Sequence, residues 1–277
     1  MLRISGNWSP YLLADQMHFA SICLFSLCLS NFLSGESKIP LMNFPFNVGE
    51  RLEYEIKWSL FPVGSAVLEV LQEDTNESPN CFVLNLDVRT NRFADAFYKV
   101  RTSVKSIVDP LFARTLRYEK SQKEGKTQRE ISVQYKYDLG EAHYSQLGMK
   151  DVITPIPNAV FDPFAVAYFV RMQTVGNGKD IQAIVCDGKR VKEVVIRNGK
   201  TKKFKFPDRS IEAIETRPAM ENLGGVFNKS PNGDLKVWFS NDSKRYPVKL
   251  ISKVSVGSFS ATLRNVYPSG KEHNKKG

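Results

Sequence analysis

The sequence is poor in histidine, the residue that most often serves as a general acid or base. Its 277 residues include three, His18, His143 and His273. It also lacks a Gly-x-Ser-x-Gly elbow, a phosphate-binding glycine loop, a dinucleotide fingerprint and a His-Glu-x-x-His motif. These absences argue against the common hydrolases, nucleotide-dependent enzymes and metalloproteases. No catalytic residue and no cofactor is therefore predicted.

Cysteine is also scarce, with four in the chain and no Cys-x-x-Cys pair. The missing spacing disfavours a zinc or thioredoxin-like site, and no metal site is predicted. Cys23 and Cys28 lie in an apolar N-terminal segment, which leaves Cys81 and Cys186. In an oxidising compartment these two could form one disulfide, although two buried free thiols fit the sequence equally well.

The clearest apolar run, residues 19–33, is shorter than the ~20 residues of a comfortable transmembrane helix. Small residues follow it at positions 34, 35 and 37. We therefore predict a signal peptide over residues 1–37, cleaved between Ser30 and Ser37, and no stable transmembrane span. Met17 is an alternative start of translation, and an uncleaved N-terminal anchor is the alternative interpretation.

Acidic residues are outnumbered, with 29 Asp and Glu against 39 Lys and Arg, which gives a net charge of +10 and a pI of about 9.3. Such an excess of positive charge can bind nucleic acid, an anionic membrane or acidic glycans. Here the bases stand at alternate strand positions, which is typical of a solvated surface, and no nucleic-acid partner is predicted. The one dense cluster of basic residues follows the last strand, so residues 268–277 are predicted to be a basic disordered tail.

Alternating apolar and polar residues dominate the rest of the chain. Leu52, Tyr54 and Ile56, for example, alternate with charged residues, which is typical of a half-buried antiparallel strand. Similar segments recur to residue 267, and Asn198-Gly199 is the strongest hairpin signal among them. No repeat or composition shift divides them. Residues 38–267 are therefore predicted to form a single mainly β domain, a sandwich, roll or barrel.

One helix interrupts the strands, over residues 164–173. Asp162 can accept hydrogen bonds from the free N–H groups of its first turn, and Pro163 suits the first helical position. The segment is apolar nearly all round, so we expect it to be buried and to plug or cover the sheet. Arg171 near its end then needs a partner, because burying an unpaired charge is costly. We regard Asp162 and Arg171 as candidate site residues.

The stretch from residue 233 to 263 predicts three strands, and its first turn, 241–245, is unusually polar. Asp242 and Arg245 flank that turn, and Trp238 precedes it. A structural interpretation is an ion pair that locks the turn beneath the indole. A functional interpretation is a rim that holds an anionic or glycan ligand by cation–π contact and stacking. Tyr118, which lies among several bases, is equally ambiguous between a structural and a rim position.

Five pieces of the sequence, in order, resemble the DUF3108 family of exported bacterial proteins. They are 49–54 with 63–66, 116–120, 162–171, 186–189, and 237–248 with 256–258. The resemblance covers about residues 46–264. It implies an antiparallel β-roll or partly open barrel with one buried helix, in the periplasm or envelope of a Gram-negative-type bacterium. It implies no agreed activity.

These observations favour an exported, non-enzymatic β domain that binds an apolar or amphiphilic ligand, such as a lipid or a lipid-linked glycan. One alternative is a structural or assembly factor that contacts other envelope proteins. Another is a glycan-active enzyme with a carboxylate pair such as Glu53 and Glu55. An apolar cavity capped by the helix would favour the first hypothesis, and a fully packed core the second.

Overall fold

The structure, a computed structural model, describes residues 43–76, 78–219, 235–254 and 257–268. The predicted signal peptide and almost all of the predicted tail lie outside these residues. Within them, neither helix is long and apolar enough to cross a membrane.

The described residues contain fourteen strands and two helices. The strands are β1 (Arg51–Trp58), β2 (Phe61–Glu73), β3 (Cys81–Thr90), β4 (Val100–Val108), β5 (Thr115–Glu124), β6 (Thr127–Lys136), β7 (Glu141–Gln146), β8 (Val152–Pro155), β9 (Ile181–Cys186), β10 (Val191–Lys205), β11 (Ser210–Pro218), β12 (Leu235–Ser240), β13 (Pro247–Val254) and β14 (Gly257–Tyr267). The helices are α1 (Arg92–Asp95), between β3 and β4, and α2 (Ala165–Met172), between β8 and β9.

All fourteen strands form one antiparallel sheet in the order β8-β7-β6-β5-β4-β3-β2-β1-β14-β13-β12-β11-β10-β9. Neighbours in the sheet are neighbours in the chain except at β1 and β14, which pair the first strand with the last. The sheet therefore ends at β8 on one side and at β9 on the other. The mainly β, antiparallel fold predicted from the alternation is confirmed.

The segment that follows β8 contacts both β5 and the β9 edge. Thr115 donates its backbone N–H to the carbonyl of Val160, and Phe161 pairs with β9 through bonds to Ile184 and Cys186. These contacts join β5 to β9 on opposite halves of the sheet. The closure rests on one short segment instead of a full ladder, which is what a partly open barrel requires.

Helix α2 is buried, as its composition predicts. Ala165 and Tyr168 belong to a core cluster with β2, β3 and β4. Val170 belongs to another cluster with β9, β10 and β12. Because the helix contacts both halves of the sheet, the sheet curls around it.

The Asn198-Gly199 hairpin prediction is wrong. Both residues lie inside β10, at an irregularity between Asn198 and Thr201 in its pairing with β11. The Asn198 side chain accepts the N–H of Gly176 and donates to the carbonyl of Lys179, so a neighbouring loop satisfies it. The dipeptide makes a bulge here because the strand continues along the same partner.

The two ends of the barrel differ. At the clamp end, β1 begins next to Glu50, and the turn from β12 to β13 (residues 240–246) meets the end of α2 through Arg171. At the mouth end, β1 ends at Trp58, β3 at Thr90 and β11 at Pro218. Strand β10 extends from Ile196, which pairs with Pro218, back to Val191, so the β9–β10 turn also lies at the mouth end.

Candidate functional site

Asp162 organises the start of α2 from a fully buried position. Its Oδ1 accepts the backbone N–H groups of Phe164 and Ala165, at 2.7 and 3.0 Å. The hydroxyls of Ser106 and Thr115 donate to its two oxygens, each at 2.9 Å. The carboxylate therefore caps the helix, as the sequence indicates, and also ties it to β4 and β5. Burial raises its pKa, and the four bonds oppose that rise.

Arg171 has the partner that its burial requires. Its guanidinium forms a bidentate pair with Glu50, with distances of 2.6 and 3.0 Å, and the two side chains are 1% and 2% exposed. It also donates to the carbonyls of Pro45 and Lys244. Burial lowers the pKa of Arg171, but hydrogen bonding and charge from Glu50 outweigh burial and leave the pKa raised. Asp162 and Arg171 thus act at opposite ends of α2 and do not form one site.

The polar turn 240–246 clamps the end of α2. Asp242 Oδ1 accepts the N–H groups of Lys244 and Arg245 and the hydroxyl of Ser240. Arg245 donates to the carbonyl of Arg171, at 2.9 Å, and takes a positive φ of 45°. The ion pair suggested for Asp242 and Arg245 is not among those formed by the described residues. Asp242 instead holds the turn by accepting backbone N–H groups, and the Arg245 side chain caps the C-terminal end of α2.

Trp238 lies away from the interior of the barrel. It is buried against Phe204 on the outer face of the sheet, with ring centroids 5.8 Å apart. Its neighbours along β12, Val237 and Phe239, face inward. The structure therefore does not bring Trp238 to the inner surface with the other candidates.

Tyr118 faces inward but belongs to the packed half of the core. It is 8% exposed and packs with Val133 and Tyr144. Burial raises its pKa, and the charges of Asp162 and Asp187 add to that rise. A neutral, enclosed phenol of this kind contributes to packing between β5, β6 and β7.

An apolar cavity, whose wall includes neither Tyr118 nor Trp238, lies between α2 and the inner faces of β1–β3 and β9–β14. Its volume is about 450 Å³. The wall is formed by side chains that are almost all apolar, namely Tyr54, Ile56, Ala66, Leu68, Leu86, Val88, Pro163, Phe164, Val166, Ala167, Val170, Val185, Val194, Ile196, Pro218, Leu235, Val237, Phe239, Pro247, Leu250 and Ala261.

The polar wall residues are Asp187, Arg190, Lys192 and Thr216. Three of these, Asp187, Arg190 and Lys192, lie in or next to the β9–β10 turn, at the mouth end. Sequence reasoning missed Lys192. Its alternation with Val194 and Ile196 was the available signal, because residues two apart on a strand share a face.

The disulfide considered for Cys81 and Cys186 is not formed, and both are buried free thiols. Cys81 packs with Val83 and Ile107. Cys186 packs in a different cluster, near Val133 and Tyr144. The two sites belong to separate parts of the core, which the sequence alone could not indicate.

We expect Cys81 and Cys186 to resist iodoacetamide in the folded protein. Both are buried, and burial raises the pKa of the Cys186 thiol to about 11, so little reactive thiolate forms. Peptide mass mapping should find both unmodified in native protein and both modified in guanidinium without reductant. A disulfide would leave both unmodified in guanidinium until a reductant is added.

Comparisons with known proteins place this geometry among uncharacterised families. The model of a family described as a protein of unknown function, DUF3108, matches residues 53–264. No curated protein matches the chain. One similar solved structure is a β-barrel-like protein of a domain of unknown function, DUF1849, from Brucella abortus. It has 10% identity and a TM-score of 0.54, and the match covers 81% of this chain and 99% of that one. A Bacteroides fragilis protein with a YmcC-like fold has 11% identity and a TM-score of 0.28, over 81% and 98% of the two chains.

Proposed function

The chain belongs to the DUF3108 family of proteins of unknown function, and we propose that it is an exported, non-enzymatic protein that binds an apolar or amphiphilic molecule inside its barrel. The observation that carries the proposal is the apolar cavity beside α2. The N-terminal segment supports export, because residues 19–33 have the length and apolar character of a signal peptide.

The size and lining of the cavity favour a ligand. Its volume of about 450 Å³ falls within the ~300–1,000 Å³ of small-molecule sites, whose walls are mostly apolar with a few polar groups. Protein interiors are otherwise close-packed, so a cavity this large forgoes many van der Waals contacts. A bound acyl chain or other apolar group would supply those contacts.

The contacts at the two ends of α2 explain why the cavity persists. The Arg171–Glu50 pair and the turn 240–246 hold one end of α2, and Asp162 holds the other. A helix fixed at both ends cannot move toward the far wall and fill the space. The polar residues of the family's C-terminal stretch therefore support the binding site from behind and do not contact the ligand.

Filling the cavity should abolish binding without unfolding the protein. We expect Ala167→Phe, on the cavity face of α2, to weaken binding of a dansyl-labelled undecanoic acid at least tenfold. The unfolding free energy should stay within about 1 kcal/mol of wild type, because the ring enters the cavity and displaces few packed atoms. Fluorescence titration and urea unfolding measure the two quantities.

The matched control is Ala113→Phe, which adds the same ring at an exposed position in the link between β4 and β5. It should bind the probe as wild type does. Native mass spectrometry of protein purified gently from the producing cells should also show a bound lipid-sized adduct in wild type and not in Ala167→Phe. A wild-type protein that carries no adduct and takes up no probe would contradict the proposed function.

A further inference from the structure

We propose that the cavity selects amphiphiles with an acidic head group, which Arg190 and Lys192 bind at the mouth end. The inference rests on the proposed function and specifies its ligand class. It starts from an unusual placement, since both cations line a cavity whose wall is otherwise almost entirely apolar.

Lys192 occupies an inward position of β10. It pairs with Val185 of β9, and the next inward pairs are Val194 with Ala183 and Ile196 with Ile181. Val185, Val194 and Ile196 line the cavity together with Lys192. The apolar stem of the lysine therefore continues the apolar wall, and its ammonium group lies at the end of that wall.

Arg190 is presented from the adjoining turn. Asp187 Oδ1 accepts the N–H groups of Lys189 and Arg190, at 2.9 and 2.8 Å, and so fixes the turn. Arg190 itself is exposed. Asp187 is thus engaged with the backbone, and the turn brings a second cation to the same side of the cavity as Lys192.

Among the ion pairs formed by the described residues, none includes Arg190 or Lys192. Most arginines of the barrel are engaged, as Arg51, Arg101 and Arg171 show. Two cations at the end of an apolar chamber match a molecule with an apolar tail and a carboxylate or phosphate head, which both can bind by charge-assisted hydrogen bonds.

The test compares dodecanoate with dodecanol by isothermal titration calorimetry. We expect dodecanoate to bind wild type about tenfold or more tightly than dodecanol does. Arg190→Gln/Lys192→Gln should lose that preference and bind dodecanol as before. Lys200→Gln, an exposed change elsewhere on β10, should leave both affinities unchanged.

The outcomes separate the two proposals. If the two ligands bind wild type equally, or if the double variant keeps the preference, the head-group inference is wrong and the proposed function stands. If neither ligand binds wild type, and Ala167→Phe binds the dansyl-labelled probe as wild type does, the proposed function is wrong and this inference with it.

A separate observation concerns the outside of the mouth end. The turn from β1 to β2 and the short helix α1 expose large apolar side chains there, including Leu60 at 85%, Phe61 at 62% and Phe97 at 78%. Phe93 and Tyr98 are exposed as well. Isolated exposed apolar residues are ordinary, but several on two adjoining segments mark an interaction surface, and here Asn91 links the segments by hydrogen bonds to Pro62 and Val63. We call Leu60, Phe61, Phe93, Phe97 and Tyr98 the mouth patch.

The mouth patch is held in place. Asn91 caps α1 by accepting the N–H of Ala94, and its amide donates to the carbonyl of Pro62. Asp95 forms a bidentate pair with Arg101, at 2.6 and 3.0 Å. The hydrogen bonds to Arg101 and Thr90 lower the pKa of Asp95 to about 2, so it stays charged and the link persists across the physiological range.

We infer that the mouth patch docks on a lipid surface with anionic head groups. Arg92, Lys99 and Lys126 flank it against the carboxylate of Glu124, and Arg101 neutralises the nearby Asp95, so the surroundings of the patch carry a net positive charge. Exposed aromatic rings beside basic residues are typical of proteins that insert into the head-group region. The patch also lies at the same end of the barrel as the cavity mouth, which would face the lipid.

Vesicle flotation tests the docking. Wild type should float with vesicles of phosphatidylglycerol and phosphatidylcholine, and Phe93→Ser/Phe97→Ser should float several-fold less. Leu111→Ser/Leu139→Ser, which removes two exposed apolar side chains outside the patch, should behave as wild type. Equal flotation of all three proteins, or none, would overturn the docking. Wild-type dimers that the Phe93→Ser/Phe97→Ser variant loses, without flotation, would identify the patch as a contact between copies instead.

Discussion

Glu50→Gln is expected to lower the unfolding free energy by about 3–5 kcal/mol, the cost of leaving one charge of a buried pair unpaired. Arg171 is 1% exposed, and Glu50 is its ion-pair partner among the described residues. The glutamine has nearly the same shape but no charge. The guanidinium would then lie among Phe46, Tyr168 and Tyr246, whose rings are 5.2–5.5 Å away, with neutral oxygens alone as acceptors, namely the glutamine Oε1 and two carbonyls.

Urea unfolding at pH 7 measures this loss. Asp208→Asn is the control, since it removes a surface ion pair with Arg209 and should cost less than about 1 kcal/mol. Glu50→Leu/Arg171→Met should recover much of the stability, because an apolar pair removes both charges together. A loss below 1 kcal/mol for Glu50→Gln would contradict the role given to the pair.

Asp162→Ala is expected to cost about 2–4 kcal/mol, because it leaves several buried donors without an acceptor. Phe164 and Ala165 would lose the cap of their N–H groups, and Ser106 and Thr115 the acceptor of their hydroxyls. Asp162→Asn should cost much less at pH 7, since its amide oxygen can still accept the N–H groups and the hydroxyls can reorient. A loss below about 1 kcal/mol for Asp162→Ala in urea unfolding would contradict the role given to the cap.

The same carboxyl gives a pH dependence whose sign is fixed by its raised pKa. Burial lifts the pKa of Asp162 above its ordinary 3.8, so the folded state holds the proton more tightly than the unfolded chain. Its contribution to stability is complete below pH 3.8 and is lost as the pH rises through the folded-state pKa. The stability of wild type relative to Asp162→Asn should therefore fall over that range and then level off. A difference that rises with pH would contradict the raised pKa.

Much of the fold follows from local patterns. The alternation of Leu52, Tyr54 and Ile56 predicts β1, and Asp162-Pro163 before an apolar segment predicts α2. Strand β8, Val152–Pro155, shows no such pattern, because it has four residues and ends in proline, and its pairing with β7 comes from the tertiary structure. Short strands carry too few residues for a period to show.

The candidate site was harder to predict, because its members meet through long-range contacts. The burial of Arg171 predicts a partner, but not that the partner is Glu50, 121 residues away. Alternation along β12 predicts that Trp238 and Val237 face opposite sides of the sheet. It does not predict that Phe204 covers the outer side, where Trp238 lies. Bases at alternate strand positions are typical of a solvated surface, whereas the register of Lys192 with Val185 places that lysine at the cavity.

The central claim, that the barrel interior holds the ligand, is tested most directly by nuclear Overhauser contacts to a bound amphiphile. With dodecanoate labelled at its terminal methyl, the account predicts contacts from that methyl to the methyl groups of Val194 and Leu250, both in the cavity wall. Ala167→Phe should abolish these contacts. Contacts confined to Phe93 and Phe97 on the outside, or no contacts at saturating dodecanoate, would contradict the claim.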